Sequence, residues 1–269
     1  MTIQGTESVT ISGVTSTEMP MPSIITTGLP PDLQNLDSSI SPENKAGNLF
    51  INTQRLNVIN GGVISTASIN SQGGNLTIQA TESVTVEGGL SNENLSRVIT
   101  GIPKLSQIPA GREFNLNAGT LTLLTPRLTV ANGGQISSSS QFGNAGTLTI
   151  QAPQSILVTG TTPEGLPSRI LAETGGTGKG GNLDITTRSL TVENEGKIST
   201  ATSELGPEFS GIVTLNTPDI DPTQGLIEFP DTPIDISQLI DQNLCQLSKN
   251  SELTATGRQG LPSSPTAEL

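Results

Sequence analysis

Residues 119–138 read GTLTLLTPRLTVANGGQISS, and this stretch decides the fold. Its apolar spacing recurs at 47–66 and at 181–200, so the chain holds three copies of one unit, here named unit A. In each copy a glycine is followed by aliphatic residues at offsets 2, 4, 9, 11 and 17. A recurring spacing of this kind is typical of repeat architectures, in which stacked units share one continuous core.

A second unit, here named unit B, follows unit A along the chain. It reads GNLTIQATESVTVEGG at 74–89 and GTLTIQAPQSILVTG at 146–160, and a partial copy lies at 2–13. The opening glycines of A and B are 27 residues apart in two couples and 30 apart in the third. The distance from B to the next A varies, so we predict insertions on a regular frame, at about 14–46, 91–118 and 161–180.

Within each unit, aliphatic residues alternate with Thr, Asn or Asp, which predicts short strands with one buried face. The Asn-Gly-Gly at 60–62 and at 132–134 supplies the left-handed backbone that a sharp corner needs, and 194–196 keeps this corner as Asn-Glu-Gly. Two-stranded units are not stable alone, but coils stacked about 4.8 Å apart pair every strand with its neighbours. We therefore predict an all-β fold, a right-handed parallel β-helix over residues 1–220.

The composition agrees with a narrow aliphatic core and excludes some classes of function. Only 32% of the residues are hydrophobic and 2% aromatic, and the sequence has no Trp, Tyr or His. The net charge of −12 argues against nucleic-acid binding, which requires clustered Lys and Arg. No apolar stretch approaches the roughly 18 to 20 residues of a membrane span, so we expect no transmembrane segment.

The repeat is expected to stop near Pro218 and Pro222, because proline cannot donate a ladder hydrogen bond. We predict a C-terminal cap segment over 221–260, with one or two helical turns around 236–244, and a disordered tail over 261–269. Cys245 is the only cysteine; we interpret it as a small buried hydrophobic residue, and pairing with another chain stays open.

Together with the repeats, the segment DPTQGLIEFPDTPIDISQLIDQNLCQLSKNSELTATGRQGLPSSP at 221–265 resembles the C-terminal end of filamentous-haemagglutinin-like exoproteins of two-partner secretion, in the form common in cyanobacteria. The more specific part is Asp221-Pro222, Gln224-Gly225-Leu226, Cys245 and Thr256-Gly257-Arg258. Gln259 departs from the family, which has a second glycine there. The resemblance covers essentially the whole chain.

This resemblance implies a non-enzymatic, rod-forming segment of a secreted or cell-surface protein, associated with the outer membrane and acting in adhesion. Cell-surface glycans or proteins are the implied partners, and an outer-membrane transporter is the implied partner of the full-length protein. The family's signal peptide and N-terminal secretion domain are not found in this sequence. We therefore expect the chain to be the distal piece of a larger exoprotein, with a short intact solenoid as the alternative.

The main rival is a carbohydrate-active enzyme, because parallel β-helices also carry polysaccharide lyases and hydrolases with clustered carboxylates. Asp184 is the candidate carboxylate on an outward strand face, and Glu193 and Glu195 flank the nearby corner. Phe50 and Thr122 stand at the Asp184 position in the other A units, which favours solvated surface charges. We predict no catalytic residue and no cofactor.

Calcium binding and ice binding are weaker alternatives. The stretch GGTGKGGNLD at 175–184 superficially resembles a calcium-binding nonapeptide, but Lys179 stands where an acceptor is wanted, and a flexible loop explains the glycines better. The spacing of the tail carboxylates matches no defined calcium loop, and these are Asp219, Asp221, Asp231 and Asp235. Outward threonine ladders, such as those of ice-binding solenoids, are expected from Thr77, Thr85, Thr122, Thr129, Thr149 and Thr191.

Overall fold

A computed structural model describes residues 1–13, 23–28, 43–68, 71–89, 94–101, 116–141, 143–202 and 206–217. The chain divides into a compact unit, Met1–Asp221, and a second unit, Pro222–Leu269. The second unit lies outside the described residues. Residues 218–221 also lie outside them, so the predicted end of the repeat near Pro218 and Pro222, the cap, the helical turns, the tail, Cys245 and the tail carboxylates stay predictions.

The first unit is an all-β solenoid whose laddered strands are all parallel. Seventeen strands are present in the described residues: β1 (Thr2–Gln4), β2 (Ser8–Ser12), β3 (Ile24–Thr26), β4 (Leu49–Ile59), β5 (Val63–Ser65), β6 (Leu76–Glu87), β7 (Arg97–Ile99), β8 (Leu121–Leu124), β9 (Arg127–Ala131), β10 (Gln135–Ser137), β11 (Leu148–Ala152), β12 (Ser155–Thr159), β13 (Arg169–Leu171), β14 (Leu183–Thr187), β15 (Leu190–Glu193), β16 (Lys197–Ser199) and β17 (Val213–Asn216). The predicted all-β, parallel β-helix class is confirmed. The one helical element described is a 3-10 turn, Pro207–Phe209.

Each complete coil contributes to two sheets. Its first two strand segments enter an 11-stranded sheet, and its third enters a six-stranded sheet ordered β16-β13-β10-β7-β5-β3. In β4 and β6 the first two segments merge into one long strand. One position recurs in consecutive coils as Leu49, Leu76, Leu121, Leu148 and Leu183, so these coils advance the chain by 27, 45, 27 and 35 residues.

The core is a stack of aliphatic columns that run through successive coils. In one column, consecutive members pair in register and each is at most 1% exposed: Ile51, Ile78, Leu123, Ile150 and Ile185. The residues between these apolar positions point outward and are partly or fully exposed. The period-2 reading of inward and outward faces is therefore confirmed, and the core requires no aromatic side chain.

Close packing between coils explains why a glycine opens each unit, which the spacing alone did not reveal. Gly74, Gly119, Gly146, Gly181 and Gly211 stack on one another, and a Cβ on any of them would lie 1.9–2.2 Å from the carbonyl oxygen of the glycine one coil earlier. Only a residue without a Cβ lets the backbones approach this closely. We name these five residues, with Gly47 at the start of the stack, the glycine column.

A pair of hydrogen bonds closes the corner at every glycine of the column except Gly181, whose N–H donates to Ala172, a residue without a hydroxyl. The Gly146 N–H donates to the Ser138 carbonyl oxygen at 2.8 Å, and the Ser138 hydroxyl donates to the Gly146 carbonyl oxygen, also at 2.8 Å. Thr66 and Gly74 form the same pair, at 2.9 and 2.6 Å. These hydroxyls are buried but satisfied, so they add polar bonds to the core without a desolvation penalty left uncompensated.

The predicted insertions contain part of the regular frame. The strands β3, β7 and β13 fall within 14–46, 91–118 and 161–180, and each one pairs in the six-stranded sheet. The spacing did not predict these strands because each has only three residues, too few to show an alternating pattern. Units A and B are thus both three-stranded coils, and extra chain lies before and after the third strand rather than replacing it.

Units A and B differ by one residue at the corner between the first two strand segments. The ladder between β4 and β6 shifts register between Thr53 and Arg55, which is the signature of a β-bulge. In unit A a buried threonine sits at this corner, and the Thr53 hydroxyl donates to the Arg55 carbonyl oxygen at 3.2 Å. Buried Ala80 occupies the matching place in unit B.

Candidate functional site

The Asn-Gly-Gly corner of unit A is a turn in the left-handed backbone conformation. Asn60 and Asn132 both have φ of 50°, and the glycines that follow them have φ of 86° and 89°. These left-handed conformations confirm the turn predicted from the sequence. The corner is closed by a hydrogen bond from the Gly62 N–H to the Ile59 carbonyl oxygen at 2.9 Å, and Gly134 makes the same bond to Ala131.

Each complete unit B carries a short excursion at the same corner of the solenoid. The segments 88–96 and 160–168 have equal length, and each is closed by an antiparallel bridge, Gly89 to Leu95 and Thr161 to Pro167. A buried serine ends each excursion, Ser96 or Ser168. We name these two segments the B hairpins; of the first, the structure describes residues 88–89 and 94–96. The spacing predicted most of each segment only as part of the longer insertions at 91–118 and 161–180.

The B hairpin lies against the Asn-Gly-Gly corner of the preceding coil. A Cβ on Gly133 would lie 2.1 Å from Cγ2 of Thr162, and the Gly133 N–H donates to the Ser168 hydroxyl at 3.0 Å. The Gly61 N–H donates to the Ser96 hydroxyl at the same distance. The alternation of A and B therefore has a physical basis, because the two Asn-Gly-Gly corners are each covered by the hairpin of the B coil stacked on them.

Glu195 occupies a left-handed position that glycine fills in the two other A units. Its φ is 69°, a region that costs a side-chain-bearing residue about 1–2 kcal/mol. We therefore expect Glu195→Gly to stabilise the protein by about 1 kcal/mol, measured as a shift in the midpoint of urea unfolding. Glu195→Ala is the matched control, since it removes the carboxylate but keeps the strain. Equal gains from both variants would show that charge, not backbone conformation, is responsible.

The three carboxylates proposed as catalytic candidates are all exposed. Asp184 lies in β14, between Thr149 and Thr214 in the ladder, while Glu193 ends β15 and Glu195 sits in the corner that follows. As predicted from the sequence, Asp184 lies on the outward face of its strand, and Glu193 and Glu195 flank the corner. All three lie on an open surface near the end of the described solenoid.

The glycine-rich stretch proposed as a calcium loop joins two coils. Gly178 packs against the Gly143 carbonyl, and the Lys179 N–H donates to Oδ1 of Asn144 at 2.9 Å. These contacts belong to the coil-to-coil ladder. Among the described residues, no group of three or more Asp, Glu, Cys or His side chains is arranged to hold a metal ion.

The predicted threonine ladders form on the outer face of the 11-stranded sheet. Thr77, Thr122 and Thr149 are neighbours in register on consecutive strands. Thr85 pairs with Thr129, but Leu157 separates this pair from Thr191. Phe50 and Asp184 bound the first ladder, so the regular threonine surface is three coils long.

A column of basic and amide side chains runs along the six-stranded sheet, and our sequence analysis missed it. Arg97, Gln135, Arg169 and Lys197 occupy one register position on consecutive strands. Burial lowers the pKa of Arg169, partly opposed by the nearby Glu173 carboxylate, which also forms an ion pair with Lys197 at 3.5 Å. The recurring Ser-Arg before two aliphatic residues, at 96–99 and 168–171, is the signal that could have revealed it.

Open grooves cross the coils, and two of them differ in polarity. One has a volume of about 480 Å³ and is lined mainly by polar side chains, including Glu43, Lys45, Asn75, Asn117 and Thr120. In this groove the Asn75 Oδ1 accepts from the Thr120 N–H at 3.1 Å, so amide side chains join successive coils. The second groove, of about 450 Å³, is more apolar and is lined by residues that include Leu124, Pro126 and Pro153.

Across the part of the chain that the structure describes, no helix is long and apolar enough to cross a membrane. Comparison with protein-family models, with curated proteins and with solved structures found no match for this chain.

Proposed function

We propose that this chain is a non-enzymatic, rod-forming segment of a secreted or cell-surface exoprotein of the filamentous-haemagglutinin-like kind. The observation that carries the proposal is the aliphatic core, which continues without interruption through the stacked coils while their lengths vary between 27 and 45 residues. A constant core combined with variable loops suits a scaffold in which the regular positions maintain a rod while the loops differ from coil to coil. In this proposal, an outer-membrane partner transporter exports the full-length protein.

Adhesive contacts form the second part of the proposal, with cell-surface glycans or proteins as partners. The polar groove offers the exposed Glu43 and Lys45 beside Asn75, Asn117 and Thr120, which together present charged, amide and hydroxyl groups. Groups of these kinds exchange hydrogen bonds with sugar hydroxyls. We take this groove as the first surface to test for glycan binding.

The proposal is tested by two measurements on the full chain. Antibody labelling of intact cells should detect it on the outside, and a glycan array should show binding that the double variant Glu43→Gln, Lys45→Gln weakens. The matched control is Glu164→Gln, which removes an exposed carboxylate on a B hairpin, away from the groove. Absence of label on intact cells would contradict the surface location, and equal binding by both variants would remove the groove from the proposal.

The enzymatic alternative has its own test. The chain is incubated with acidic polysaccharides, and product formation is followed by reducing ends or by absorbance of unsaturated sugars. The structural proposal expects no turnover. Measurable turnover that Asp184→Asn abolishes would replace the proposal by a carbohydrate-active function.

A further inference from the structure

Two Asn-Gly pairs occur in the whole sequence, and both lie at the A corners, at 60–61 and 132–133. Asn-Gly is chemically labile because glycine leaves its backbone nitrogen unhindered. That nitrogen attacks Cγ of the asparagine side chain, a cyclic imide forms and ammonia leaves. Water then opens the ring to aspartate or isoaspartate. Each event adds a negative charge and, in the isoaspartate product, an extra backbone carbon.

The left-handed conformation of the corner opposes this reaction. In that region of backbone space the nitrogen of the next residue lies on the far side of the Cα–C bond from Cβ, so it cannot reach Cγ. Asn60 and Asn132, both at φ of 50°, are held in this conformation. Ring closure therefore requires the corner to open first.

The B hairpins supply the groups that keep the corner closed. The Ser96 hydroxyl, fully buried, accepts from the Gly61 N–H at 3.0 Å and donates to the Glu87 carbonyl oxygen at 2.7 Å. Ser168 does the same for the second pair, accepting from Gly133 at 3.0 Å and donating to Thr159 at 2.6 Å. The nitrogen that would attack is thus already donating its hydrogen to a group in the next coil.

We propose that Asn60 and Asn132 are latent deamidation sites, and that the buried hydroxyls of Ser96 and Ser168 protect them. The reaction runs only from the open corner, and opening must break the glycine-to-serine hydrogen bond. Removing the hydroxyl removes one buried hydrogen bond that stabilises the closed corner. The population of the open corner should therefore rise about three- to tenfold. The rate of deamidation rises by the same factor.

The test compares the full chain with Ser96→Ala and Ser168→Ala after incubation at mildly alkaline pH. Peptide mass spectrometry measures the mass gain of aspartate over asparagine at each site, and an isoaspartyl methyltransferase assay measures the isoaspartate product. We expect Ser96→Ala to accelerate deamidation at Asn60 alone, and Ser168→Ala at Asn132 alone. Asn194, followed by Glu195, serves as an internal reference that stays unchanged.

Ser138→Ala is the matched control for a general loss of stability. It removes another buried serine hydroxyl, whose bond to the Gly146 carbonyl oxygen closes a different corner. If Ser138→Ala accelerated deamidation at Asn60 and Asn132 as much as the two test variants, global unfolding would explain the effect and the proposal would be wrong. Unchanged rates in Ser96→Ala and Ser168→Ala would overturn it as well.

Discussion

Leu123→Asp is expected to unfold the central coils of the solenoid. Leu123 is fully buried in β8, with Ile78 and Ile150 above and below it in the aliphatic column. A carboxylate there has no partner and must be either desolvated or neutralised, and we expect a loss of about 4 kcal/mol or more in the free energy of unfolding. Because the chain has no Trp or Tyr, loss of the strand signal in far-UV circular dichroism during urea titration is the measurement.

The control for this prediction is one residue away. Thr122 is on the outward face of the same strand, at the register position that Asp184 occupies two coils later. Thr122→Asp should therefore change the unfolding midpoint little, since the carboxylate stays in water. Equal loss in the two variants would mean that the inward and outward faces of the strand are not as described.

Gly146→Ala is expected to destabilise the protein although it adds a single methyl group. The new Cβ would lie 2.0 Å from the Gly119 carbonyl oxygen, and this contact involves backbone on both sides, so no side-chain rotation can relieve it. The coils must separate locally or the ladder must shift. We expect a loss of about 3 kcal/mol, read from the same urea titration.

Gly47→Ala tests whether the effect comes from stacking on the glycine below. Gly47 is in the glycine column, but the nearest atom to its added Cβ is the Thr27 Cβ at 3.3 Å, where a small adjustment suffices. The loss at Gly47 should therefore be well under half of that at Gly146. A comparable loss at both positions would contradict the role given to the close approach, because Gly→Ala by itself lowers the entropy of the unfolded chain and does not destabilise.

How far the sequence predicts this fold depends on the length of the pattern. The column through Leu123 and Ile185 was predictable, because the same alternation repeats at fixed offsets. The three-residue strands β3, β7 and β13 were not predicted, because each is too short to show alternation, although β7 and β13 lie at the same distance from the glycine that opens unit B. The glycine column is a third case. The sequence shows that a glycine opens each unit, but why glycine is required there depends on a backbone contact between coils, which the spacing does not reveal.

The candidate surfaces were also predicted only where they follow from a repeated pattern. Asp184 and the threonine ladders were placed correctly on the outer face because their positions follow from strand alternation. The column that contains Arg97 and Arg169 was missed, since it joins residues 72 positions apart through strands that the pattern did not predict. The link between Gly133 and Ser168 was equally hidden, because it depends on which coil stacks on which.

The unequal coil lengths also have a consequence for the unfolded chain. Closing a loop of 45 residues rather than 27 costs only about 0.5 kcal/mol more in chain entropy, because this cost grows with the logarithm of length. A solenoid with a continuous ladder can therefore lengthen one coil substantially at almost no loss of stability. Loop length in this architecture is nearly neutral, and it can diverge while the strands and the glycines between them stay fixed.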